Sequence, residues 1–141
     1  MSTPITEIVV CHVEVDKIWQ ALTDVEQMKE WYFTMNDFEL AEGKQFYFYE
    51  PGENRKYKHV CTILEIKPNE EFRHTWSYPE LTKGESTVSW YLKQEGEHTT
   101  VTLTHEHLET FADGGKDFDR ENFVEGWNDI LQNSLKTYVE K

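Results

Sequence analysis

The sequence predicts an α+β fold in which an antiparallel sheet is covered on one face by a long C-terminal helix. Three stretches lead to that prediction. Residues 16–33, DKIWQALTDVEQMKEWYF, place Ile18, Trp19, Leu22, Val25 and Met28 at helical spacing. From Asp37 to about residue 108 the apolar period falls to two, the mark of strands with one buried face. Residues 119–141, DRENFVEGWNDILQNSLKTYVEK, return to the helical period.

Taken in order, ITEIVVCHV (5–13) is β-branched and apolar and reads as a first strand. In the helical stretch that follows, Thr23-Asp24 can recap the chain and split it into two short helices. FEL (38–40), the turn AEGK and QFYFYE (45–50) read as a hairpin that ends at a Pro51-Gly52 loop. KYKHVCTILEIK is a long strand closed by Pro68-Asn69, and EFRHTWS is the next. STVSWYLKQ, the turn EGEH and TTVTLTHEHL form the clearest hairpin. In it Val88, Trp90 and Leu92 share a face, as do Val101, Leu103 and His105. The last helix has Asp119 as its N-cap. Phe123, Trp127, Ile130, Leu131, Ser134, Leu135 and Tyr138 fall on its apolar arc; Gln132, Lys136 and Glu140 are among the residues opposite. The order is β-α-α-β(5–6)-α within one domain spanning 1–141.

Composition narrows the function. The 141 residues carry a formal charge of −13, from 27 acidic and 14 basic side chains. Phosphate backbones and anionic lipids need clustered Lys and Arg, and the strongest basic cluster, NRKYKH, is short, so no nucleic acid is expected as a partner. No apolar run approaches the roughly 20 residues that span a bilayer, so no membrane insertion is expected. MSTPITEIVV lacks the form of a signal peptide, and Cys11 and Cys61 form no CxxC pair, which points to reduced thiols and a cytoplasmic location. His105-Glu106-His107 is not expected to bind metal, because on a strand Glu106 points away from both histidines. No cofactor motif is present: there is no P-loop, dinucleotide fingerprint or GxSxG.

VDKIWQALTDVEQMKEWYF, EGKQFYF, TILEIKPNEEFRHTW and above all GWNDILQNSLKTYVEK resemble the START-like (SRPBCC, Bet v 1-like) superfamily. Within it they resemble activators of the heat shock protein 90 ATPase, C-terminal domain type. The Ile18-Trp19 and Gly126-Trp127 pairs are the most specific marks. The resemblance implies a helix-grip fold, a curved antiparallel sheet wrapped around the C-terminal helix with an apolar cavity between them.

That cavity accounts for a small and a polar residue in the helix's sealing face. Gly126 is expected to let backbone or a ring approach closely, despite a helix-propensity cost of about 1 kcal/mol relative to Ala. Ser134 would point at the sheet, or else bond back to the carbonyl of Ile130. The expected cavity wall comprises Trp31, Phe33, Phe46, Phe48, Phe72, His74, Trp76, Trp90, His105, Phe123, Trp127, Leu131 and Ser134. For most of these aromatics plain core packing is the competing reading, and for His74 and His105 it is a satisfied, partly buried imidazole. The first function expected is non-catalytic binding of a small hydrophobic ligand such as a lipid, isoprenoid or aromatic metabolite. A chaperone-associated interaction domain in the stress response, with a heat shock protein 90-type partner, is the second. ATPase activation in eukaryotic members of the family also relies on an N-terminal domain, which does not precede the first strand here. A polyketide cyclase- or aromatase-like enzyme comes third, with His74 or His105 as base and Tyr32 or Tyr138 as hydrogen-bond donor. Monomer and homodimer both remain open.

Overall fold

A computed structural model describes residues 3–49 and 58–141. Strand β1 (Ile5–Cys11) leads into helices α1 (Val15–Thr23) and α2 (Val25–Trp31). Strands β2 (Gln45–Tyr49), β3 (Lys58–Lys67), β4 (Glu71–Ser77), β5 (Glu85–Glu95) and β6 (His98–Glu106) follow. Two short 3-10 segments, Leu108–Gly114 and Lys116–Phe118, then precede a terminal rod made of α3 (Arg120–Asp129), a π turn (Ile130–Leu135) and α4 (Lys136–Val139). The six strands form one antiparallel sheet in the order β1-β6-β5-β4-β3-β2, curved around the C-terminal helix. This is the helix-grip arrangement.

The break between α1 and α2 falls where the sequence places it: the Asp24 carboxylate accepts from the Glu26 amide at 3.0 Å. The FEL segment, by contrast, is not a strand. β2 pairs with β3, and among the described residues its outer side meets only Asn36, which exchanges backbone hydrogen bonds with Tyr47. Asp37 adopts φ 60°, which turns the chain out of any extended partner strand. The Pro51-Gly52 loop and most of NRKYKH lie outside the described residues. Along β5 and β6, Val88, Trp90, Leu92, Val101, Leu103 and His105 are all buried on one face. The other face is not uniformly wet, since Ser89 is also buried there.

In the C-terminal rod Trp127, Leu131, Leu135 and Val139 are fully buried, every fourth residue. Each such side chain contributes roughly 1.5–3 kcal/mol. A row of fourth neighbours drifts about 40° per step around an α-helix of 3.6 residues per turn. The π turn, with its wider i→i+5 winding, cancels part of that drift and keeps the row against the sheet.

A second row at the same spacing is polar. The structure corrects the expectation that Gln132, Lys136 and Glu140 face solvent, because they cover the free edge of β1. Gln132 donates to the Ile8 carbonyl at 2.7 Å and Lys136 to the Val10 carbonyl at 2.6 Å. Glu140 accepts from the His12 amide at 2.8 Å, and Arg120 donates to the carbonyls of Thr3 and Pro4. An open strand edge is a template for unwanted pairing, and this row occupies it. The double variant Gln132→Ala/Lys136→Ala is expected to lose about 1–2 kcal/mol in urea unfolding, the net value of two such bonds. An unchanged midpoint would show that the row covers the edge without stabilising it.

Candidate functional site

The space beneath the middle of the helix is filled. Leu131 and Leu135 are completely buried, and the void among Phe46, Phe48, Phe72, His74 and Trp90 measures about 10 Å³, the size of one water at most. The cavity lies instead toward the start of the helix. Its volume is about 300 Å³, and it is walled by Phe33, His59, Trp76, Tyr78, Phe118 and Phe123 and by the helix residues Asn122, Gly126, Trp127 and Ile130. Asn122 and Gly126 are exposed, so the cavity opens along that side of the helix.

Of the residues expected to wall a cavity, Phe33, Trp76, Phe123 and Trp127 do so. Phe46, Phe48, Phe72, His74 and Trp90 surround the small inner void. Four others stand elsewhere. Trp31 is buried, with its indole N–H donating to the Ala21 carbonyl at 2.9 Å to tie α2 onto α1. Leu131 is core. His105 lies behind Trp127 as its hydrogen-bond partner. Ser134 faces a separate groove beside Glu30, Trp31 and Tyr138, and among the described residues its hydroxyl makes no bond to the Ile130 carbonyl. The π turn rotates it there, so neither sequence reading of Ser134 holds.

Gly126 requires a second correction. Among the described residues a Cβ at this position would meet nothing within 4 Å, so none of their backbone or rings packs against it; the glycine leaves open space at the cavity mouth. Close approaches are found instead at Gly84, where a Cβ would collide with the carbonyl of Thr110, and at Gly114, where it would collide with the Phe118 ring.

His59, Tyr78, Phe118, Asn122 and Ile130 complete the cavity wall. His59 shares its strand phase with Cys61 and Ile63, and Asn122, Gly126 and Ile130 form an i, i+4 row, so these positions had a periodic signal. Tyr78 and Phe118 lie outside the strands and carried none.

The cavity floor is held by a chain of buried hydrogen bonds. Trp127 Nε1 donates to His105 Nδ1 at 2.9 Å, and His105 Nε2 meets Ser86 Oγ at 2.6 Å. The Ser86 hydroxyl donates to the Trp76 carbonyl at 3.1 Å. Because an indole N–H can only donate, His105 Nδ1 is the acceptor and Nε2 carries the proton. Each polar atom of the chain is thereby satisfied. His74 Nδ1 donates to the Thr75 carbonyl at 2.9 Å. The Tyr32 hydroxyl is buried without a hydrogen-bond partner among the described residues, and Tyr138 lies in the outer groove beneath Lys141. Neither tyrosine completes a pair with His74 or His105.

Among the described residues no cluster of three or more His, Cys, Asp or Glu side chains could hold a metal. No helix among them is long and apolar enough to cross a membrane. Cys11 and Cys61 are buried and unpaired.

A family model described as Activator of Hsp90 ATPase homolog 1-like protein matches residues 12–140. CalU16 from Micromonospora echinospora is 22% identical, with a TM-score of 0.71 over 96% of this chain and 73% of that one. DynU16, a protein in the dynemicin biosynthetic locus, is 20% identical with a TM-score of 0.81; all of this chain spans 48% of its length. The Aha1 dimer from Colwellia psychrerythraea is 22% identical with a TM-score of 0.77, over 99% of this chain and 97% of that one. At these identities the likeness is one of fold. No curated protein matches the chain in sequence.

Burial also sets a pH dependence. Desolvation holds His105 down at about 3 and His74 at about 4, against 6.5 for a free imidazole. The unfolded chain therefore binds protons that the folded state refuses. Stability is intact above about pH 6.5 and falls as pH drops toward 4, by up to about 1.4 kcal/mol per pH unit for each ring. Urea midpoints measured across that window are expected to show this slope, and to show about half of it in His74→Asn, which retains a donor for Thr75. An identical slope in the variant would remove His74 from the account.

Proposed function

The chain belongs to the Activator of Hsp90 ATPase homolog 1-like family, and from that premise we propose that it is a non-catalytic carrier of a small hydrophobic ligand, held between the sheet and the start of the C-terminal helix. The observation that carries this reading is Gly126. A glycine in a helix interior costs about 1 kcal/mol relative to Ala, and here no close contact requires one. What its missing side chain provides is the opening of an aromatic-walled cavity. A volume of about 300 Å³ falls at the lower end of the roughly 300–1,000 Å³ typical of small-molecule sites. Lining by rings with a few polar groups, here His59, Tyr78 and Asn122, is the usual composition of such sites.

The buried histidines favour binding over catalysis. His105 has both ring nitrogens engaged and no exposure, which leaves no atom to take a proton from a substrate. The family description supports a second reading, an interaction with a heat shock protein 90-type chaperone. Its test is the ATPase rate of the matching chaperone with and without this protein; neither complex nor rate change would end it.

Gly126→Leu separates the carrier reading from a purely structural role. The new side chain enters open space, so helix propensity is expected to raise the melting temperature while the cavity mouth closes. Neutral N-phenylnaphthylamine, followed by its fluorescence, is expected to bind wild type with a stoichiometry near one. It should bind Gly126→Leu about tenfold more weakly or worse, a loss of about 1.4 kcal/mol. Equal binding to both proteins would place the probe elsewhere and remove the proposal.

A further inference from the structure

We infer that the cavity selects organic cations, apolar groups bearing a quaternary or otherwise permanent positive charge, over neutral molecules and carboxylates of the same shape. This deepens the carrier reading and rests on it. Three observations point the same way.

The first is what lines the cavity. Among the described residues no Asp, Glu, Lys or Arg does so. A carboxylate entering it would lose its hydration without gaining a guanidinium or ammonium partner among the described residues, the compensation that buried anions require. A fatty-acid or other carboxylate head is therefore disfavoured inside.

The second is the arrangement of the rings. Trp76 and Trp127 lie 5.2 Å apart at 58°, Tyr78 and Phe118 4.8 Å apart at 62°, and His59 and Trp76 4.9 Å apart at 77°. Rings turned steeply against one another cannot all present only their edges to the space they wall. Aromatic rings, tryptophan above all, attract a cation within about 6 Å through their quadrupole, and more strongly once water is excluded. The same arrangement gives a neutral isostere only contact area.

The third is the charge of the helix and of the chain. Asp119, Glu121, Glu125 and Asp129 are exposed on the turns of the helix that carry Asn122 and Gly126. The two basic residues of the rod are turned away, Arg120 onto the carbonyls of Thr3 and Pro4 and Lys136 onto that of Val10. The edge of β1 thus takes up the positive charge of the rod, while its carboxylates stay in solvent. With a net charge of −13, the field of the chain as a whole favours the approach of cations over anions.

The test is displacement of N-phenylnaphthylamine by three matched probes: benzyltrimethylammonium, its neutral isostere neopentylbenzene, and phenylacetate. The cation is expected to bind about tenfold more tightly than the hydrocarbon, and phenylacetate more weakly than either. High salt should reduce the cation's lead but leave most of it, since contacts with desolvated rings are poorly screened. Phe33→Leu, which keeps an apolar wall without the ring, is expected to narrow the ratio of cation to hydrocarbon affinity; a merely structural role would weaken both alike. Equal affinity for the cation and the hydrocarbon, or a preference for phenylacetate, overturns the inference while leaving a hydrophobic carrier standing. A cation preference that vanishes in high salt overturns the aromatic cage. Failure of N-phenylnaphthylamine to bind at all removes the carrier reading and this inference with it.

Discussion

The architecture depends on one buried chain of hydrogen bonds running from Trp127 through His105 and Ser86 to the backbone of Trp76. It joins the C-terminal helix to β6, β5 and β4 in a single directional sequence of donors and acceptors. An indole that can only donate fixes the tautomer of the imidazole, which in turn fixes the role of the hydroxyl. Breaking any member strands buried polar atoms at roughly 1–3 kcal/mol each. That asymmetry holds the helix at one angle and one depth, where apolar contact alone would tolerate sliding. It also sets Trp76 and Trp127 as the rigid floor of the cavity.

The rod then has two duties in different chemical terms. One row, Trp127, Leu131, Leu135 and Val139, is dry and faces the core. The other, Arg120, Gln132, Lys136 and Glu140, is polar and satisfies the backbone along the β1 edge. Both rows step in multiples of four residues, which a regular α-helix cannot keep aligned over its length. The π turn at Ile130–Leu135 reconciles them, and Ser134 is carried out of the interior as a consequence. Both rows face the core or the β1 edge, and open space is left on the side that carries Asn122 and Gly126.

That arrangement explains which parts of the site were legible. Trp76, Phe123 and Trp127 carry the period of their elements, and elements with a period announce which face is buried; Phe33 lies just past the end of α2. His59 had the same signal, in phase with Cys61 and Ile63, but was hidden by the basic cluster in front of it. Tyr78 and Phe118 lie in connections, where no repeat relates a residue to a face. Gly126 was recognisable as unusual, yet a glycine looks the same in sequence whether it admits a neighbour or leaves a gap. Only the atoms around it distinguish Gly126, with nothing nearby, from Gly84 against Thr110.

The order of elements, the α1–α2 break at Asp24 and the buried faces of β5 and β6 followed from local patterns, because period and capping are properties of a few adjacent residues. The phase of the rod beyond Ile130, the partner of β2 and the position of the cavity did not. Each depends on residues far apart in the chain meeting at one place: Gln132 with Ile8, Asn36 with Tyr47, Trp127 with His105. Local sequence determines which side of an element is apolar. How far that side is pushed home, and where room remains, is decided by the contacts that arrest it.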